Sequence, residues 1–465
     1  ITARKPIVLL KGARSSAGSR AGASHTGALT QPDEVIEAAA RKSGIWRARD
    51  IDEFITLLDL AEVYGPLKPS QAVIVTNAGG VGVLTADACQ AAGVELFAPD
   101  RLLREELARK LPAAASVANP IDLLGDASET RYDDALTSLA EEETTKTALV
   151  LLTPQENTPV SKVAQAVLSH AKCDDMPIIA SFVGGMRVRE AISYLQRGGA
   201  VHSGSPERAA RVLGIVNRAQ PYGSRASEFT PERKRADAGE VLAARLRDER
   251  RGGLYYSEAR ELTGLYGLPT AKAWRLDYNS PAEISYPCVV KVDSPSLAHK
   301  TDRGGVISGI ENEEALVAAA EKLGRLFPGE RIIAQEMLPT GEEIILGAAR
   351  KDGFGPVVLV GYGGIYAEQI GLTEILIPPF SSEEAAEILR ASSLGFLFAG
   401  ARSQAPYNVG ELASLAKALG EMLLENPWIK EADLNPLFIY NDQKPAVAVD
   451  VKIFSMREEE NSFKG

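Results

Sequence analysis

The chain has 465 residues, too many for one hydrophobic core and enough for about three domains. Hydrophobic residues make up 45% and charged residues 24%, the balance of an ordinary globular protein, and 62 acidic against 51 basic residues give a net charge of −11. The sequence shows no basic block with interleaved aromatics, no apolar run near the ~20 residues of a bilayer span and no signal-peptide pattern, which argues against nucleic-acid and membrane partners. Cys89, Cys173 and Cys288 are odd in number and far apart, reading as reduced thiols of a cytoplasmic protein.

In chain order, short apolar runs at residues 6–10, 72–76, 94–98, 147–153, 177–182 and 200–203 predict strands. Between them, residues 33–42, 83–92, 160–171 and 206–216 predict helices. Strand and helix in alternation imply parallel, doubly wound sheets with ligands at the carboxyl ends of the strands. The stretch "YGPLKPSQ" breaks the pattern near residue 66, giving units at 1–66 and 67–222. Residues 223–253 are charged and poor in bulky apolar side chains, and read as a solvated helix or linker. From 254 to 455 the order changes to α+β. Its predicted helices span 257–266 and 409–425, with an amphipathic one marked by Leu316, Ala319, Ala320, Leu323 and Phe327. Predicted strands span 332–336, 343–349, 356–361, 433–440 and 446–453. Residues 456–465 form a tail without a buried pattern.

Chemistry-bearing residues fall into a few clusters. Only four histidines occur, and His25 lies in "SRAGASHTGALT" among residues too small to build a core. Its glycines suit a mobile loop; by itself the segment reads better as a solvent-exposed loop histidine of no function. "NAGGVGVL" puts Gly79 and Gly80 where a strand gives way to a helix, whose free N–H groups suit an anion or serve plain strand-to-helix packing. Lys291 stands in the apolar strand "VVKVD", a costly place unless its ammonium meets an anion or reaches the surface. "GYGGIYAE" supplies a second glycine turn at Gly363 and Gly364, with N–H groups open to phosphate oxygens. Asn435 in "ADLNPL" and Asp450 in "AVAVDVKI" fall on adjacent predicted strands, and an amide oxygen converging with a carboxylate suits Mg²⁺ shared with substrate phosphates. His170 and His202 match no motif and read as surface or packing residues.

The segments "SPSLAHKTDRGGV", "GEEIILGAARKDGFGPVVLVGYGGIYAE" and "ADLNPL" resemble the ATP-grasp half of the NDP-forming (ADP-forming) acyl-CoA synthetases, relatives of succinyl-CoA ligase. "KPIVLLKGARSSAGSRAGASHTGAL" is similar to that family's phosphohistidine segment, and "VTNAGGVGVL" with "ANPIDLLGDAS" and "LTPQ" to its second flavodoxin-like domain. The resemblance covers almost the whole chain. It implies a fold of two flavodoxin-like doubly wound domains, the first incomplete, followed by an ATP-grasp α+β module.

The resemblance also implies roles. His25 would be the phosphorylated nucleophile, attacking as the neutral imidazole from a mobile loop. His299 stays open between a second phosphoryl relay site and a hydrogen-bonding loop residue. Lys291 would bind nucleotide phosphates, the segment with Gln335, Glu336 and Leu338 would form the adenine hinge, and Glu343 would face the nucleotide. Asn435 and Asp450 would hold Mg²⁺, while Lys300 and Arg402 would neutralise charge on the moving phosphoryl group. The expected reaction is acid + CoA + ATP ⇌ acyl-CoA + ADP + phosphate. The family carries a CoA-binding domain ahead of the phosphohistidine domain, so CoA binding is expected to need a portion or subunit outside these residues, within a homo- or hetero-oligomer. Two other readings stand beside this one: a non-catalytic homologue sensing nucleotide or acyl-CoA, and a different ATP-grasp carboxylate ligase, which would leave "SHTG" without a purpose.

Overall fold

A computed structural model describes residues 4–15, 17–18, 20, 32–144, 146–173, 176–219, 229–276, 284–295, 297, 300, 303–364, 367–400, 405–442 and 444–456, the side chains of Cys173 and Glu368 excepted. The chain divides into two compact units, Ile1–Ser224 and Arg225–Gly465.

In the first unit β1 (Val8–Leu10) pairs in parallel with β2 (Trp46–Ala48), and a helix over Asp33–Ser43 lies between them in the chain. That helix stops at Gly44, whose φ of 64° is left-handed and suits a residue without a Cβ. A second helix, Ile51–Tyr64, starts at Asp50, whose carboxylate accepts the Glu53 N–H at 2.7 Å. Next come β3 (Gln71–Thr76), β4 (Ile121–Asp122), β5 (Lys146–Leu152), β6 (Ile178–Phe182) and β7 (Val201–His202). They form one parallel sheet in the order β4-β3-β5-β6-β7. The period-two alternation of β3 divides it between two cores. Val73 and Val75 join Leu107, Tyr132, Leu136 and Val167 on one face, while Ala72 and Ile74 join Leu57, Cys89 and Val212 on the other. A parallel sheet buried on both faces by helices is the doubly wound arrangement that the sequence predicts.

The chain leaves β3 for β4 on one side, and β5 lies on the other. The carboxyl ends of β3 and β5 therefore flank a topological switch point, where such sheets bind ligands. Asn77 ties that point together: its side-chain amide donates to Thr153 O at 2.8 Å and accepts the Thr153 N–H at 2.9 Å. One predicted strand does not form. Residues 94–98 meet the sheet only around Ala72, because the Asn119 carboxamide donates to both Ala72 O and Phe97 O at 2.8 Å and accepts the Ile74 N–H. A side chain thus takes the place of a longer ladder.

The second unit holds two antiparallel sheets. β8 (Ala273–Arg275), β9 (Cys288–Asp293), β10 (Val306–Ile310) and β11 (Arg331–Glu336) make the smaller, in the order β10-β9-β11-β8. The helix Glu313–Leu326 covers one face, burying Leu316, Ala319 and Leu323 against Val290, Val292 and Ala334. The larger sheet contains β12 (Glu342–Lys351), β13 (Gly355–Tyr362), β14 (Thr373–Leu376), β15 (Ile429–Ile439) and β16 (Val447–Ala448), in the order β14-β13-β12-β15-β16. β17 (Val451–Ser455) also pairs with β15. Its core packs Ile344, Leu346, Val358, Val360 and Leu434 against helices Ser382–Ala391 and Val409–Glu425.

The charged stretch expected as a solvated helix or linker contains a helix, Arg233–Asp248, that buries Leu242, Ala243 and Leu246. Leu242 and Leu246 belong to the core of the larger sheet, and a Cβ on Gly239 would collide with the Asn426 side chain, so the close approach demands glycine. Its charges occupy one side of an amphipathic helix. Among the described residues no helix is long and apolar enough to cross a membrane.

Candidate functional site

The smaller sheet positions the first functional side chains by alternation. Cys288, Val290 and Val292 of β9 face the covering helix, so Lys291 and Asp293 face the other way, as do Ile333 and Gln335 of β11. Lys291 is buried at 8% exposure, and its ammonium donates to Val449 O at 3.3 Å. Burial lowers its pKa and the neighbouring Lys300 adds to this, against a smaller opposing pull from Asp450. Gln335 is 1% exposed; its amide nitrogen donates to Val449 O at 2.9 Å and to the Tyr256 hydroxyl at 2.8 Å. The side chain counted with the adenine hinge is therefore turned inward. Glu336, at the end of β11, accepts the Lys272 N–H at 2.7 Å, and half-buried Leu338 follows it.

The acceptor Val449 lies where the predicted strand 446–453 breaks into β16 and β17. Next to it, Asp450 receives Lys300 Nζ at 3.6 Å, while its Oδ1 is buried without a hydrogen-bond partner. Asn435 N–H donates to Asp450 O at 3.2 Å, which brings the two expected metal ligands onto neighbouring backbone as predicted. Asp433, unremarked in the sequence, stands two residues before Asn435 on β15. Burial is the chief cause pushing the Asp433 carboxyl up to about 6. The alternation Glu431, Asp433, Asn435 on one strand was the signal available for it.

Glu343 stands one residue from Ile344, which faces the helices, and so lies on the opposite, open face of the larger sheet. Its carbonyl accepts the Gly363 N–H at 2.7 Å, so close that a Cβ on Gly363 would sit 2.7 Å from the same oxygen. Gly364 follows at φ 90°. The glycine turn and Glu343 are thus brought together. In the first unit, Gly79 and Gly80 open the helix Gly79–Ala91 at the switch point, and their N–H groups have no acceptor within the helix. A Cβ on Gly79 would lie 2.7 Å from Asp122 Oδ2, so a carboxylate already rests beside this helix end. His25, His299 and Arg402 lie outside the described residues.

A site with hard oxygen donors fits Mg²⁺ on two observations. Asp450 Oδ1 is buried with no hydrogen-bond partner, only the Lys300 ammonium at 3.6 Å, and the bond from Asn435 N–H to Asp450 O sets an amide-bearing residue beside that carboxylate. Mg²⁺ held by one carboxylate and one amide oxygen would complete its shell with water and substrate phosphate oxygens.

Three family models match in chain order. They are a succinyl-CoA ligase like flavodoxin domain at residues 1–61, a Ligase-CoA domain at 72–225 and an ATP-grasp domain at 245–454. Two flavodoxin-like α/β portions followed by an ATP-grasp module is thus the architecture. An ADP-forming acetate–CoA ligase of Methanocaldococcus jannaschii is 32% identical over 97% of this chain and 67% of its own length. The ADP-forming acetate–CoA ligase I of Archaeoglobus fulgidus is 31% identical over 95% of this chain and 65% of its own. The β subunit of acetate–CoA ligase I (ADP-forming) of Pyrococcus furiosus is 36% identical over 42% of this chain and 89% of its own length. The matched models define an ATP-grasp module that follows succinyl-CoA ligase-type domains in the chain. The chain belongs to the family of ADP-forming acetate–CoA (acyl-CoA) ligases. It spans about two thirds of the length of the full-length relatives it matches.

Proposed function

We propose that this chain carries the nucleotide and phosphohistidine parts of an ADP-forming acid–CoA ligase, which interconverts acid, CoA and ATP with acyl-CoA, ADP and phosphate. The observation that carries the reading is the convergence of Lys291, Lys300, Asp450 and Asn435 on one corner of the ATP-grasp module, where two buried ammonium groups lie beside Asp450 and buried Asp293 also lies near Lys300. Two ammonium groups at one corner suit the phosphates of ADP, and the neighbouring carboxylates suit the cation that accompanies them.

In the ATP-forming direction, phosphate attacks the thioester carbonyl, the C–S bond breaks and the CoA thiol leaves, giving an acyl phosphate. Neutral His25 attacks phosphorus, the acyl P–O bond breaks and the carboxylate departs. A β-phosphate oxygen of ADP then takes the phosphoryl group, the P–N bond breaks, and histidine and ATP result. Gly79 and Gly80, at the positive end of their helix, would stabilise phosphate charge in the first stage. Lys291 and Lys300 would hold the ADP phosphates in the last, and the resemblance gives Arg402 and His299 supporting parts there. Glu343, with Gly363 and Gly364, would line the nucleotide pocket, and Glu336 with Leu338 the adenine side. Mg²⁺ on Asn435 and Asp450 would neutralise phosphate charge when bound. The substrate is a small carboxylic acid, and CoA is bound with a domain or subunit beyond these residues; division of one relative into subunits supports such a partner.

Asp450→Ala tests the nucleotide site. Mg·ADP binding, measured by calorimetry, should weaken by about 2 kcal/mol or more, while ADP binding in chelator changes little. Equal weakening of both would remove Asp450 from the metal site.

A further inference from the structure

We infer that Tyr256 and Gln335 are positioning residues that fix the 449–450 corner and so aim Asp450 at the metal–nucleotide complex, an inference that rests on the function proposed above. The corner interrupts the edge of the larger sheet between β16 and β17, so no continuous ladder holds it. Its backbone is pinned from two sides. On the larger sheet, Val449 N–H donates to Pro436 O at 2.8 Å, and Asp450 O accepts the Asn435 N–H at 3.2 Å. From the smaller sheet, Gln335 and Lys291 both donate to Val449 O.

The Gln335 contact depends on which way its amide faces. An amide turned over would set its oxygen against the Val449 carbonyl, two acceptors with no hydrogen between them. Tyr256 decides the matter. Its single hydroxyl proton goes to Ala271 O at 2.8 Å, so towards Gln335, also 2.8 Å away, it offers only lone pairs. Gln335 must therefore present its NH₂ group, and both of those hydrogens are used, one on Tyr256 and one on Val449 O. Tyr256 is itself held: it is 3% exposed, and its N–H donates to Asp293 Oδ1 at 2.8 Å. Ala271 N–H in turn donates to Ala448 O at 2.9 Å, one residue before the corner. Gln335 thus donates in both directions, back to the tyrosine and forward to the corner, in the one orientation that Tyr256 allows. Neither residue need touch substrate to act.

Calorimetric titration of the full chain with ADP, in Mg²⁺ and in chelator, tests this on wild type, Tyr256→Phe, Gln335→Met and the double variant. Tyr256→Phe keeps the ring and its packing. It should weaken Mg·ADP binding about tenfold or more and leave metal-free ADP binding unchanged. Because Tyr256 works through Gln335, the double variant should bind no worse than Gln335→Met alone. Wild-type affinity in Tyr256→Phe, equal losses with and without metal, or additive losses in the double variant would each overturn the inference. A wild-type chain that binds ADP in neither condition overturns instead the nucleotide reading beneath it.

Discussion

Lys291→Met should leave the free protein at least as stable as wild type while weakening nucleotide binding by about 2–4 kcal/mol, roughly a hundredfold or more. The two effects have opposite signs for one reason. An ammonium at 8% exposure, with a carbonyl at 3.3 Å as its hydrogen-bond partner and a second lysine nearby, costs the empty fold desolvation that one neighbouring carboxylate does not fully offset. Burial holds its folded pKa below the unfolded value, so the unfolded chain binds that proton more tightly. Its penalty therefore stands at neutral pH and is relieved as pH rises toward the unfolded value. Methionine fills the same volume without the charge. Thermal unfolding and ADP titration of the same preparation measure both halves. A variant that unfolds several degrees earlier would make the Val449 contact a structural tie, and one that binds ADP normally would take Lys291 out of the phosphate site.

Acid should weaken the first unit through His202. Its ring is buried on β7 and stacks edge-on to Phe182, and Nε2 accepts the Phe182 N–H at 3.2 Å, which requires the neutral tautomer with the proton on Nδ1. Burial pushes its pKa down to about 4. With a folded value below the unfolded one, stability is complete above about pH 6.5 and falls as pH drops from there to about 4, by about 3 kcal/mol in full. Glutamine at 202 can still accept from Phe182 N–H and has no proton to gain. Urea unfolding at pH 7.5 and pH 4.5 should show a markedly smaller acid loss in His202→Gln than in wild type. Equal losses would mean that His202 does not titrate with unfolding.

What the sequence made legible follows from period and punctuation. The apolar runs of β3, β5 and β6 and the periodic helix Val409–Glu425 appear where the pattern puts them, whereas the run at 94–98 does not become a strand. β2 and β4 are three and two residues long, too short to leave a period, and exist through pairing to β1 and β3. The charged stretch read as a solvated helix or linker, and the buried face of the helix Arg233–Asp248 was hidden by that charge, since only a narrow stripe around Leu242 and Leu246 is buried. At the site, Lys291, Asn435 and Asp450 announced themselves as polar groups in apolar strands. Tyr256 and the Val449 carbonyl did not. A tyrosine at a helix start and a main-chain oxygen carry no pattern, and their part depends on hydrogen bonds between residues 79 and 114 positions apart.

The proposed passage of phosphate between nucleotide and His25 is tested most directly by phosphoenzyme mapping. The chain is incubated with γ-labelled ATP and Mg²⁺, then digested and sequenced. The expected result is a label stable in base and lost in acid, located on His25, released as ATP when ADP is added, and absent from His25→Ala. No acid-labile label in wild type, or an undiminished one in His25→Ala, would contradict it.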